Sequence, residues 1–147
     1  MALLLGREPR RPYEVVLSDD EGWPVVLRNG PLLEDGEPMP TRYWLVGKKE
    51  RLAVDRLESE GGVAGAEAAV SSEELEGAHR RYAAGRDAEI PESWSGPRPS
   101  GGVGGTRRGV KCLHAHYAWF LAGGDDPVGR WVAEQLAQPS ASFSSSK

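Results

Sequence analysis

The sequence predicts an α+β domain, a small antiparallel sheet of about three N-terminal strands followed by about four helices packed on it. Three observations predict it. Short β-branched runs are confined to the first third of the chain, helical periodicity begins near Lys48, and no strand pattern falls between the later helices. A doubly wound parallel sheet would need strands in those gaps.

Tyr13 to Ser18 (YEVVLS) and Pro24 to Arg28 (PVVLR) flank Asp-Asp-Glu-Gly-Trp, a polar turn with glycine available for a positive φ, and so read as a hairpin. A turn at Asp35-Gly36 and the prolines Pro38 and Pro40 lead into Thr41 to Val46 (TRYWLV), the third strand. From Lys48 the apolar positions Ala53, Val54 and Leu57 share one side, with Arg51 and Asp55, and Arg56 and Glu60, at i,i+4 spacing. Gly61-Gly62 ends that helix, and the small residues 61–69 read as a flexible stretch. Ser71-Ser72-Glu73-Glu74 is a capping box opening a helix that carries Leu75, Ala78, His79 and Tyr82 inward and ends near Asp87. Residues 91–106 hold three prolines and five glycines and read as an extended loop. Val110 to Ala122 reads as a central buried helix capped by Gly123, and Asp126-Pro127 opens a last helix through Val128, Trp131 and Val132. Trp44, Trp119 and Trp131 fall on apolar patterns, whereas Trp23 and Trp94 lie in loops. Residues 1–137 are expected to form one domain and 138–147 a disordered tail.

With 39% hydrophobic and 27% charged residues, the chain has the usage of a globular protein rather than a disordered or fibrous one. A net charge of -4 argues against the broad basic footprint of a sequence-independent nucleic-acid binder. One cysteine, Cys112, permits no intrachain disulfide, and no apolar run approaches the roughly 20 residues that span a bilayer. The three-leucine run at the start lacks the basic region and length of a secretion signal, so a cytoplasmic setting is expected.

The segment richest in chemistry is Gly101 to His116, GGVGGTRRGVKCLHAH. A glycine-rich loop running into a helix start offers backbone N–H groups and the positive end of the helix dipole to an anion. Arg107, Lys111 and His114 lie at i, i+4 and i+7, so a helix there would gather them on one side with Arg108 adjacent, as a cradle for a phosphate-bearing small molecule or an acidic protein surface. The loop is not a Walker A motif, because Val110 follows where that motif needs lysine. Cys112 reads either as a small buried hydrophobe or as a thiolate nucleophile, its pKa lowered by cationic neighbours. If both residues are helical, Cys112 and His114 point about 200° apart and cannot pair. Cys112, His114, His116 and His79 supply four metal-capable side chains, but their spacing matches no closed zinc pattern, and neither a metal nor another cofactor is expected. Arg7, Arg10 and Arg11 read as an exposed basic arm.

The segments LGREPRR, DGEPMPTRYWLV and above all RRGVKCLHAHYAWFLAGG resemble the bacterial family catalogued as domain of unknown function 501, over residues 5–136. The resemblance implies no assigned activity and directs attention to Lys111, Cys112 and His114. It also implies a histidine where this chain has Trp119, so a histidine-pair metal site carried over from relatives would lack a ligand here.

Overall fold

Strand pairing in the computed structural model, which describes residues 13–32, 36–106 and 108–138, starts from one tight turn. Asp19 accepts the N–H groups of Glu21 and Trp23 on its own carboxylate, both at 2.9 Å, and Gly22 takes φ +89°. The turn folds β1 (Tyr13–Ser18) onto β2 (Pro24–Asn29), antiparallel, with register shifts on either side of Leu17. The three-residue β3 (Tyr43–Leu45) pairs antiparallel with the other edge of β2, so the order is β1-β2-β3. Being central, β2 buries Val25, Val26 and Leu27 on successive positions instead of alternating.

Five helices follow among the described residues. Helix α1 (Lys48–Ser59) buries Val54 and Leu57. Residues 61–69, expected to be flexible, instead form α2 (Gly62–Ala69) after a left-handed Gly61. Their alanines favour a helix, and Gly62 lies so close to Leu57 and Leu113 that any Cβ there would collide with them. Helix α3 (Ser72–Asp87) opens on the capping box between Ser71 and Glu74. Helix α4 (Leu113–Leu121) begins three residues later than Val110, with Cys112 as its extended N-cap, and Gly123 follows it at φ +103°. Helix α5 (Pro127–Ala137) starts on the Asp126 cap, whose carboxylate accepts the Val128 N–H at 3.0 Å.

Helix α4 packs mainly on α5 and β3, which makes it the axis of the domain. One apolar cluster joins β2, α1, α4 and α5 through Val26, Val54, Leu113, Ala118 and Val132. A smaller one gathers Ala78, Tyr82, Val103, Ala115 and Trp119, with Tyr82 edge-on to Trp119 at 5.1 Å between ring centres. Val103 puts part of the glycine loop into this second cluster. Trp119 is buried, Trp44 and Trp131 are half-buried, and Trp23 is exposed.

Tyr82 ties the helical layer to the sheet. Its hydroxyl accepts the N–H groups of Arg42 and Tyr43, and burial pushes its pKa up to about 12. Tyr82→Phe strands both amides at the entry to β3 and is expected to cost about 1–3 kcal/mol. A shift of the urea midpoint at unchanged slope checks it.

Candidate functional site

Two helix carboxylates decide where α4 begins. Glu67 accepts the Val110 N–H at 2.8 Å and Glu58 accepts the Leu113 N–H at 2.7 Å. Residues 109–112 are thereby held outside the helix, with Gly109 at φ +63° and Cys112 extended at φ -152°, ψ 151°. Glu67 and Glu58 thus occupy the Val110 and Leu113 amides at the end of the glycine loop.

The extended Cys112 overturns the expectation that it cannot pair with His114. Because only His114 is helical, the two side chains meet, with the Cys112 sulfur and a His114 ring nitrogen within 4.8 Å of each other. His114 Nε2 donates to Asp55 Oδ1 at 2.7 Å, and its Nδ1 lies 3.4 Å from Glu58 Oε2. The bond to Cys112, assisted by Glu58 and Asp55, pushes the His114 pKa up to about 9. Burial raises the Cys112 thiol, but hydrogen bonds from His114 and the Ala115 amide outweigh it and hold the thiol below its ordinary value. The arrangement places a thiol, an imidazole and a carboxylate in sequence. It opens onto a pocket of about 630 Å³ floored by Tyr43, Trp44 and Leu45 of β3 and edged by Arg51, Gly104 and Lys111. Glu58, Cys112 and His114 also place one possible metal-ligand atom each within 4.8 Å of one another.

Of the residues expected to bind a ligand, the three that are described line two different pockets. Lys111 and His114 line the Cys112 pocket. Arg108 lines a second pocket of about 470 Å³ with Arg80, Arg86, Glu76, Asp87 and Gly101-Gly102. Arg107 lies outside the described residues, as do Arg7, Arg10, Arg11 and residues 139–147. The glycine loop is the partition, since Gly101 and Gly102 face one pocket and Gly104 the other. Lys111 precedes the helix, so the expected helical side shared by Lys111 and His114 does not form.

His79 and His116 stand apart from this chemistry. His79 Nε2 donates to the Gly109 carbonyl at 2.8 Å and Nδ1 accepts the Val103 N–H at 3.0 Å, so a neutral ring clamps both ends of the glycine loop. His116, fully buried, pairs its Nδ1 with Asp126 Oδ2 at 2.7 Å. Burial lowers the His79 pKa below its ordinary value, against the Gly109 bond that raises it. A lowered histidine contributes stability that is present above the unfolded value near 6.5 and fades as pH falls below it. Melting temperature is therefore expected to drop between pH 7 and pH 5, and to drop less in His79→Gln.

These positions can be compared with known proteins. A family model described as "Protein of unknown function (DUF501)" matches residues 15–134. The chain belongs to the DUF501 family. Neither a curated protein nor a solved structure matches it. The match spans both pockets and every residue of the Cys112 cluster, so the DUF501 domain and the candidate site coincide. Among the described residues of this DUF501 chain no helix is long and apolar enough to cross a membrane.

Asp55, Glu58 and Glu67 were not legible as site residues. Asp55 reads in sequence as the i,i+4 partner of Arg51, and nothing local signals that it meets a histidine 59 residues away. The only trace was the pairing of a cysteine with a histidine two residues on, at a segment whose helical start was ambiguous.

Proposed function

We propose that this DUF501 chain works through the Cys112 thiolate, as a nucleophile acting on a small ligand held in the β3 pocket. His114 serves as the paired imidazolium and proton carrier, Asp55 aligns the ring, and Lys111 attracts an anionic group on the ligand. The observation that carries this reading is the His114 ring, with one nitrogen within 4.8 Å of the Cys112 sulfur and the other on Asp55 at 2.7 Å. A half-buried cysteine placed only for packing has no use for that alignment.

The test uses iodoacetamide at pH 7, with mass spectrometry as readout. Since Cys112 is the only cysteine, labelling is unambiguous. The native chain should react on the order of ten times faster than the urea-unfolded chain, where an ordinary thiol is only a few per cent ionised. A native rate at or below the unfolded one removes the nucleophile.

A second reading is favoured by the other pocket. Arg80, Arg86 and Arg108 face it beside Gly101-Gly102, and buried Arg86 already spends Nε on Asp87 and Nη1 on the Pro40 carbonyl. This is where a phosphate-bearing ligand would sit, on the opposite face of the glycine loop from Lys111 and His114. Phosphate, polyphosphate or a nucleotide at 100 times its dissociation constant should add about 2.7 kcal/mol of stability. The gain should vanish in an Arg80→Ala, Arg108→Ala double variant, and no gain with any of the three rules the site out.

A further inference from the structure

We propose that Glu58, Cys112 and His114 form a binding site for a single divalent ion of the zinc class, and that its occupation takes the Cys112 sulfur out of reaction. The inference rests on the reading of the β3 pocket as a thiolate site, and assigns that site a means of regulation. Nothing about the thiolate reading by itself requires Glu58.

Five features of the geometry support it. The donor set mixes sulfur, imidazole nitrogen and carboxylate oxygen, the three ligand types zinc takes together. The donor atoms lie within 4.8 Å of one another. A tetrahedral ion with bonds of about 2.0–2.3 Å needs its ligands about 3.5 Å apart, so closure by roughly an ångström through side-chain rotation suffices. The Leu113 N–H on Glu58 Oε2 at 2.7 Å fixes that carboxylate beside His114 Nδ1.

A further feature is Asp55. By accepting from His114 Nε2 at 2.7 Å it places the ring proton there and leaves Nδ1, 3.4 Å from Glu58, as the ligating nitrogen. A carboxylate on the far nitrogen of a histidine is the outer-shell arrangement that accompanies metal-bound imidazole. The last is access, because Cys112 and His114 line the 630 Å³ pocket and three protein ligands would leave a fourth position open, as in sites where zinc keeps an exchangeable water. Lys111 and Arg51 edge the same pocket and work against a second ion.

The test titrates the full chain with Co²⁺ alone and then displaces it with Zn²⁺. One Co²⁺ per chain is expected, with a sulfur-to-cobalt charge-transfer band and the strong visible bands of tetrahedral cobalt. Cys112→Ser should lose the charge-transfer band, and Asp55→Asn should keep it while binding 10–100-fold more weakly. Glu58→Gln keeps an acceptor for the Leu113 N–H, so it folds as the parent does and should still weaken binding at least tenfold. Zn²⁺ should block iodoacetamide labelling and a chelator should restore it. Cobalt binding without the charge-transfer band, or full labelling at saturating Zn²⁺, overturns the proposal. The two readings fail separately. Rapid metal-free labelling that Zn²⁺ leaves untouched ends the metal site and spares the nucleophile, whereas slow metal-free labelling with a charge-transfer band does the reverse.

Discussion

Asp126→Ala is expected to lower stability by about 3 kcal/mol and the melting temperature by about 10 °C. Two losses add. The α5 cap disappears when Val128 loses its acceptor, which costs about 1 kcal/mol. His116 Nδ1 is then left without its 2.7 Å partner in a fully buried position, where an orphaned polar group costs about 1–3 kcal/mol. Nor can the ring draw on its other nitrogen, because Nε2 already has no hydrogen-bond partner among the described residues. Asp126→Asn separates the two terms. Its carbonyl oxygen keeps the cap, and the amide can donate to His116 Nδ1 if the ring moves its proton to Nε2, so most of the stability should return. Calorimetry on the two variants decides it, and an alanine variant as stable as the parent would refute the account. The pair also matters to the site, since Asp126 holds α4 through His116, two residues beyond His114. Gly129 completes the seam by letting α5 lie against Phe120 and the His116 carbonyl, where a Cβ would come within 2.3 Å of Phe120 Cβ. Asp126→Asn, which spares this packing, should leave the labelling rate of Cys112 unchanged.

The elements that sequence reading recovered are those written in neighbouring residues. Asp19 to Trp23 closes its hairpin with its own side chain, Ser71 and Glu74 cap each other, and Asp126-Pro127 opens α5 by itself. The elements it missed are decided at a distance. The three-residue delay in the start of α4 is set by Glu58 and Glu67 from two earlier helices, 55 and 43 residues away. That delay is also what makes the site, because a helix begun at Val110 would have sent Cys112 and His114 to opposite sides. The glycine loop was read correctly as irregular, but its division of cations between two pockets follows from Val103 entering the core under His79, a contact no local pattern announces. Composition misled at 61–69, where alanine content was taken as flexibility although alanine is the strongest helix former.

His114→Gln is expected to slow Cys112 alkylation at pH 7 by on the order of tenfold. Without an imidazolium partner the thiol returns toward an ordinary value near 8.5, leaving a few per cent of thiolate at pH 7. The lower intrinsic reactivity of a low-pKa thiolate offsets part of the gain from ionisation. Asp55→Asn should produce a smaller loss of the same sign, since the ring keeps its bond to Cys112 but loses the carboxylate that aligns it. Glu58→Gln should act in the opposite direction. Its charge opposes ionisation of Cys112, so neutralising it should leave labelling unchanged or faster while the Leu113 N–H keeps an acceptor. That ordering is hard to obtain from generalised loosening of the pocket, which would expose the thiol and speed labelling in all three variants. Rates that rise together on substitution would mean that packing, and not the pairing with His114, governs Cys112.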